Sequence, residues 1–229
     1  MNTKKFFPVI HCVDPLKEQG IRHAIHNTRI AIDNGADGVF LIGLRLNFKP
    51  LSEIYENVRK QFPEAWIGIN FLDVSVSCNW TLLGSIGRHL KGINGLWIDT
   101  LPYRRLDVSA SVEVFGGVAF KYIDPHLRGK ELKESCGKAL QVVDVITTSG
   151  TKTGSPPDPQ KLVEIRGNIG EKRRLALATG VTEENVDLFL PTVSDFLVAA
   201  SIVERRKDLG GQEYFIPEKV KSLGVKIHQ

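Results

Sequence analysis

The sequence predicts an α/β protein in which a single (β/α)8 barrel (TIM barrel) spans residues 1–229. Eight apolar runs with the character of strands alternate with amphipathic segments of helical periodicity. The runs are almost continuously apolar, as parallel strands buried on both faces must be. No proline-, glycine- or serine-rich linker and no break in composition divides the chain. Together these observations favour one barrel, with a doubly wound open sheet as the main alternative.

Each element is predicted from its own pattern. Apolar runs predict strands at residues 6–12, 37–43, 66–72, 95–100, 114–122, 142–149, 175–180 and 196–201. Periodicity predicts helices at residues 20–35, 52–62, 79–89, 129–141, 158–167, 182–190 and 217–225, with Ser52 capping the second. Only residues 101–113 separate the fourth and fifth strands, which is too short for a crossover with a full helix. We therefore expect the fourth helix to be shortened or missing.

Composition and charge exclude several classes of protein. With 42% hydrophobic and 24% charged residues, the chain has the composition of an ordinary soluble globular protein. The net charge of +4 is spread along the chain, so no nucleic-acid partner is expected. Pro8 and Asp14 interrupt any secretory apolar region and no long apolar run exists, which predicts a cytoplasmic protein without transmembrane segments. The widely spaced Cys12, Cys78 and Cys136 fit reduced thiols, and neither a metal nor a cofactor is expected.

Polar side chains stand at the ends of seven of the eight predicted strands. The second strand, which ends in Gly43-Leu44-Arg45, is the exception. Because all strands of a barrel point the same way, their carboxyl ends meet at the face where active sites are built. The pattern therefore predicts a polar pocket formed by His11, Asn70, Asp99, Lys121, Thr147, Thr148, Ser149, Thr179 and Ser201.

Four of these residues are candidates for catalysis. Asp99 and Lys121 follow neighbouring strands and form either a structural salt bridge or a reactive pair. In the second case Lys121 acts as a proton donor, an electrostatic clamp or an amine nucleophile, and Asp99 as a base or as the group that keeps the lysine charged. His11 is a second candidate acid or base, with a structural histidine as the alternative. Asn70 is expected to orient the substrate.

The segment from residue 144 to residue 157 has the composition of a phosphate-binding loop. A short apolar strand leads into glycines, hydroxyls and a lysine, which offer close backbone N–H groups, further donors and positive charge. Barrels often bind phosphate at the ends of the seventh and eighth strands. Lys152 is either a phosphate contact or a solvated loop charge. The predicted phosphate site comprises Ser149, Gly150, Lys152, Thr153, Gly154, Thr179, Gly180, Ala200 and Ser201.

Two motifs carry a resemblance to a known family. The run Asp144-Val145-Ile146-Thr147-Thr148-Ser149-Gly150 to Gly154, followed by Gly180-Val181-Thr182-x-x-Asn185-Val186, resembles the BtpA family of (β/α)8 barrel proteins. Supporting matches are Gly35-Ala36-Asp37-Gly38-Val39, Gly68-Ile69-Asn70 and Phe120-Lys121. The resemblance implies the barrel fold and links the chain to a family named for photosystem I accumulation and membrane biogenesis, whose reaction is undefined.

Two function classes follow. The first is a cytoplasmic enzyme that acts on a phosphorylated small metabolite by lyase, isomerase or transferase chemistry. The second is a non-catalytic assembly or regulatory barrel that keeps its pocket as a ligand sensor. We favour the enzyme because an ionisable pair is costly to bury without a use. After the eighth strand, Tyr214 and Phe215 are expected either to fold over the pocket or to support a contact in a homo-oligomer.

Overall fold

A computed structural model describes residues 3–12, 17–43, 48–72, 84–86, 88, 90–209 and 211–229. Eight parallel strands form a closed barrel in chain order, and the first strand pairs with both the second and the last. The predicted α/β barrel is therefore confirmed. Its strands are β1 (Lys5–Cys12), β2 (Val39–Gly43), β3 (Ile67–Asn70), β4 (Gly95–Ile98), β5 (Glu113–Gly117), β6 (Val145–Thr148), β7 (Arg174–Leu177) and β8 (Asp195–Val198).

The helices pack outside this barrel. They are α1 (Lys17–Asp33), α2 (Phe48–Gln61), α3 (Gly129–Val142), α4 (Pro159–Ile169) and α5 (Pro217–Ile227). Residues 84–86 and 88 are also helical and belong to the predicted third helix, the rest of which lies outside the described residues. Residues 99–112, all of them described, contain no helix between β4 and β5, as predicted. Within the described part of the chain, no helix has the length and apolarity needed to cross a membrane.

The helix cap predicted at Ser52 and the helix predicted at residues 182–190 are both wrong. The second helix begins at Phe48, so Ser52 lies within its first turns and does not cap it. The helix predicted at residues 182–190 is a single 3₁₀ turn, Val186–Leu188. Here the Asn185 side chain accepts a hydrogen bond from the Thr182 N–H at 2.8 Å and donates to the Gly180 carbonyl at 2.8 Å. These local bonds favour a turn over a helix.

The fifth strand is shorter than predicted, which moves Lys121 out of the sheet. β5 ends at Gly117, whereas the sequence predicts a strand to residue 122. The apolar run misleads because Val118 and Phe120 remain buried after the ladder ends. Burial continues while sheet pairing stops, so hydrophobicity alone does not mark the strand end.

An antiparallel hairpin of β9 (Val203–Arg206) and β10 (Gln212–Phe215) lies between β8 and α5 and was not predicted. Its second strand packs on α1, where the Phe215 N–H donates to the Asn27 side-chain oxygen at 2.9 Å. Tyr214 makes an edge-to-face contact with His23, with 5.0 Å between ring centroids. These two aromatic residues therefore cover α1 and do not fold over the barrel mouth.

The amino-terminal end of the barrel is closed by an ion network. Arg174 donates through Nε to both carboxylate oxygens of Asp195 at 3.1 Å and also pairs with Glu113. Above this network, Phe7, Phe40, Trp97 and other inward-facing residues fill the barrel. The interior is thus a packed core that opens only toward the carboxyl ends of the strands.

Candidate active site

The alternation of side chains along each strand brings the polar residues together. Val9, Trp97 and Val145 belong to the apolar cluster inside the barrel. Because strand side chains alternate between faces, the residues two positions later also point inward. These residues are His11, Asp99 and Thr147, and Asn70 follows Gly68 in the same way. A period of two therefore delivers polar groups to the carboxyl end of an otherwise apolar interior.

Asn70 and Asp99 form a buried hydrogen-bonded pair. Asn70 is fully buried and donates through Nδ2 to Asp99 Oδ1 at 3.1 Å. Burial raises the pKa of Asp99, opposed by the charge of Lys121 and the Asn70 hydrogen bond. Neither Asn70 nor Asp99 lines the cavity described below, and the contact that Asn70 makes here is with Asp99.

Lys121 lies near Asp99 without forming a direct ion pair with it. Burial lowers the pKa of Lys121, and the charge of Asp99 raises it in part. The salt bridge considered from the sequence does not form between these two described residues, because Lys121 stands in a turn beyond β5. The pKa shifts move both groups toward their neutral forms, which suits proton transfer.

The turn that carries Lys121 has an unusual backbone. Ala119, Tyr122 and Asp124 have positive φ angles of 47°, 63° and 47°, values that cost energy for residues other than glycine. The Lys121 N–H donates to the Ser149 hydroxyl oxygen at 2.6 Å. Such strained backbone persists only where surrounding contacts hold it, and it occurs preferentially at functional sites.

A second lysine, which the sequence analysis missed, holds this turn in place. Lys161 projects from α4, is only 2% exposed, and donates through Nζ to the carbonyl oxygens of Ala119, Ser149 (2.7 Å) and Pro125 (3.4 Å). Burial lowers the pKa of Lys161 to about 8. Its ammonium thus joins the loop after β5 to the loop after β6. In sequence it resembles any surface lysine of a helix.

A cavity of about 290 Å³ opens at the carboxyl end of the barrel. His11 and Lys121 are the only ionisable side chains among the described residues that line it. Its apolar part includes Val9, Trp97 and Leu197, and its polar part comes from the loops after β6, β7 and β8. The cavity therefore combines two titratable groups with the hydroxyls of Thr153, Thr179, Thr182 and Ser201.

Six of the nine predicted phosphate-site residues line this cavity: Thr153, Gly154, Thr179, Gly180, Ala200 and Ser201. Ser149 and Gly150 are buried, Lys152 is exposed to solvent, and none of the three lines the cavity. The wall is held by internal hydrogen bonds, from the Gly154 N–H to Thr179 Oγ1 at 3.1 Å and from Ser201 Oγ to the Val181 carbonyl at 2.7 Å.

Gly150 and Gly180 have a structural reason to be glycine. A Cβ on Gly180 would lie 2.2 Å from the Pro156 nitrogen, and Gly180 also has a positive φ of 68°. A Cβ on Gly150 would lie 2.0 Å from the Ser155 carbonyl oxygen. Both glycines therefore allow the loop after β6 to pack closely on its surroundings, whether or not a ligand is bound.

His11 is half-buried at the cavity and is held from outside the barrel. Its Nδ1 lies 2.8 Å from Glu213 Oε2, on the hairpin strand β10. The Glu213 carboxylate is also bound by Arg205. Sequence reasoning missed Glu213 because no pattern links it to a residue 202 positions earlier in the chain.

The fold and the cavity define the class of protein: a (β/α)8 barrel with a candidate site at its carboxyl face. No family model matches the chain, and no curated protein matches its sequence. Solved structures match it over nearly their whole length. Tryptophan synthase from Mycobacterium tuberculosis is 9% identical, with 100% of this chain and 94% of that chain covered and a TM-score of 0.66.

Two further structures give the same result. The native KDPGal structure is 14% identical, with 97% of this chain and 93% of that chain covered and a TM-score of 0.66. Thiamine phosphate pyrophosphorylase from Pyrococcus furiosus is 12% identical, with 100% and 98% covered and a TM-score of 0.61. At these identities the similarity establishes the (β/α)8 fold, and it does not single out the BtpA family.

Proposed function

We propose that this protein is an enzyme that binds a phosphorylated small metabolite at the carboxyl end of the barrel and acts on it by acid–base or lysine chemistry. One observation carries the proposal. A single cavity is lined by Lys121 and His11 together with the loops after β7 and β8. Titratable groups beside an anion-compatible wall are what a phosphorylated substrate requires.

The phosphate occupies the wall formed by Thr153, Gly154, Thr179, Gly180, Ala200 and Ser201 in this proposal. Thr179 Oγ1 accepts a hydrogen bond from Gly154, which leaves its own proton available to a ligand. The Gly180 N–H donates to no residue in the described part of the chain. Ser149 and Gly150 support the wall from behind, and exposed Lys152 contacts the anion only when its loop closes.

The reacting part of the substrate lies toward Lys121. Burial lowers the pKa of this lysine, which makes it a better proton donor near neutral pH and a better amine nucleophile. Asp99 is hydrogen-bonded to Asn70, and its negative charge raises the pKa of Lys121 and so opposes the effect of burial. His11 provides a second acid or base at the same cavity. One structural neighbour, thiamine phosphate pyrophosphorylase, is named for a phosphorylated compound.

Within this proposal, the resemblance to the BtpA family rests on the sequence motif from Gly180 to Val186. Its asparagine bridges Gly180 and Thr182, which gives the motif a compact turn beside the cavity. This resemblance also keeps a non-catalytic assembly factor as the competing function. The two functions differ in what they require of Lys121.

Metabolite depletion separates them. The wild-type protein, Lys121→Met and the surface control Lys130→Met are each incubated with a cell extract, and phosphorylated metabolites are quantified by mass spectrometry. We expect wild type and Lys130→Met to deplete the same compound and Lys121→Met to deplete none while retaining its fold. Equal depletion by Lys121→Met, or capture of a protein partner by all three with no depletion, would contradict the enzyme.

A further inference from the structure

The His11 ring is oriented by a carboxylate of the hairpin inserted between β8 and α5. Glu213 Oε2 lies 2.8 Å from His11 Nδ1, and the second oxygen, Oε1, accepts from Arg205 Nε at 3.1 Å and from its Nη2 at 3.0 Å. Both oxygens of the carboxylate are therefore engaged. The Glu213 side chain is 19% exposed, so this contact is partly shielded from water.

The backbone of Glu213 is fixed as firmly as its side chain. Its carbonyl oxygen lies 2.6 Å from His23 Nε2 and accepts from Asn27 Nδ2 at 2.9 Å. Two residues later, the Phe215 N–H donates to Asn27 Oδ1. The hairpin is thus attached to α1 at the point where its carboxylate reaches into the barrel, and Glu213 cannot move without breaking these bonds.

We propose that Glu213 is a positioning residue of the candidate active site, which holds the proton of His11 on Nδ1 and leaves Nε2 to exchange a proton with a molecule in the cavity. A carboxylate only accepts hydrogen bonds, so the ring nitrogen that faces it must donate. Nε2 has no hydrogen-bond partner among the residues that the structure describes. The use of Nε2 in turnover rests on the proposed function; the position of the proton does not.

A second histidine–carboxylate pair shows what a purely structural contact looks like in this protein. His228 Nε2 lies 2.8 Å from Asp37 Oδ2 and connects the C-terminal end of α5 to the chain before β2. His228 does not line the cavity, whereas His11 does. His11 therefore makes a contact similar to that of His228, but unlike His228 it lines the cavity and its other ring nitrogen has no partner among the described residues.

The proposal is tested by long-range ¹H–¹⁵N correlation of the histidine rings, without any phosphate ligand. His11 is assigned by the loss of its signals in His11→Asn. In the wild type we expect the neutral His11 ring to carry its proton on Nδ1. In Glu213→Ala we expect the Nε2-protonated form to become the major one, as it is in unconstrained imidazole side chains. Glu204→Ala, which removes an exposed carboxylate of the same hairpin, should leave His11 unchanged.

His23 reports whether the hairpin stays attached, because its partner is the Glu213 backbone carbonyl and survives the substitution. A wild-type His11 with its proton on Nε2 overturns the proposal without any variant. An unchanged His11 in Glu213→Ala, with unchanged His23 signals, also overturns it. Once a substrate is known, Glu213→Ala should lower kcat about 100-fold with little change in KM, and Glu204→Ala should change neither.

Discussion

The Lys121 N–H donates to the Ser149 hydroxyl oxygen over 2.6 Å, which joins the turn after β5 to the loop after β6. Lys161 binds carbonyl oxygens of the same two segments from below. The lysine proposed to react and the loop proposed to bind phosphate are therefore parts of one bonded unit. A substitution in either segment is therefore expected to change the conformation of the other.

Replacing Lys161 with methionine tests this unit. We expect the free energy of unfolding to fall by about 2 kcal/mol at neutral pH, because buried carbonyl oxygens lose their donor. Burial lowers the pKa of Lys161 from 10.5 to about 8, so the unfolded chain binds more protons between these values. The stability that Lys161 contributes therefore rises with pH across this window, and the gap between wild type and variant widens.

Urea unfolding of wild type, Lys161→Met and the exposed control Lys130→Met, at neutral pH and at about pH 9.5, measures this gap. The widening approaches roughly 2 kcal/mol, because about 1.5 pKa units separate the pKa of about 8 in the folded protein from pH 9.5, at 1.36 kcal/mol per unit. A gap that stays constant or narrows with rising pH would show that the Lys161 ammonium is not held in a desolvated environment.

Glu213→Gln should lower the free energy of unfolding at neutral pH, and this loss should disappear in acid. The hydrogen bond from His11 lowers the pKa of Glu213 to about 2, from 4.5. Its stabilisation is fully present above about pH 4.5 and is lost as pH falls through 2, because the native carboxylate must then take up a proton. We expect Glu213→Gln to cost roughly 2 kcal/mol at neutral pH and little near pH 2. Guanidinium unfolding across this range measures it, with Glu204→Gln, at an exposed carboxylate of the same hairpin, as the control.

Gly180→Ala should be more destabilising than Gly154→Ala. Both glycines have positive φ, at 68° and 77°, so alanine is strained at either position. Only Gly180 has backbone atoms of Pro156 where the new methyl would stand, whereas Gly154 has nothing within 4 Å. Thermal unfolding without ligand should show a loss of about 1 kcal/mol for Gly154→Ala and at least twice that for Gly180→Ala. Equal losses would mean that the contact with Pro156 does not constrain the loop.

Much of the fold follows from local pattern. Strands buried on both faces read as unbroken apolar runs, and the short connection between residues 98 and 113 leaves no room for a helix. Because side chains alternate along strands, finding the strands also places His11, Asn70 and Asp99 at one end of the barrel. Sequence reasoning fails where a residue is buried without pairing in the sheet. Phe120 is such a residue, because it is buried beyond the end of β5.

The parts of the candidate site that sequence did not predict depend on contacts between distant segments. Glu213 reaches His11 only because the hairpin docks on α1, and Lys161 is a clamp only because two loops converge on it. Neither has a local signature. Gly150 and Gly180 were predicted as phosphate-site residues, and the structure shows that a Cβ at either position would clash with the backbone of Ser155 or Pro156.

The anion site at the ends of β7 and β8 is the central claim. Ala200 is exposed and lines the cavity, so a longer side chain can replace it without disturbing the core. Ala200→Glu places a carboxylate beside the proposed phosphate, and Ala200→Gln adds the same bulk without charge. Both variants should unfold at the wild-type temperature in the absence of ligand.

The most direct measurement is the rise in melting temperature of the three proteins with increasing inorganic phosphate and simple sugar phosphates. Wild type and Ala200→Gln should gain stability with ligand concentration by mass action, and Ala200→Glu should gain little, because its carboxylate repels the anion. If Ala200→Glu responds as the wild type does, or if no protein responds to any phosphorylated compound at millimolar concentration, the anion does not bind at the ends of β7 and β8.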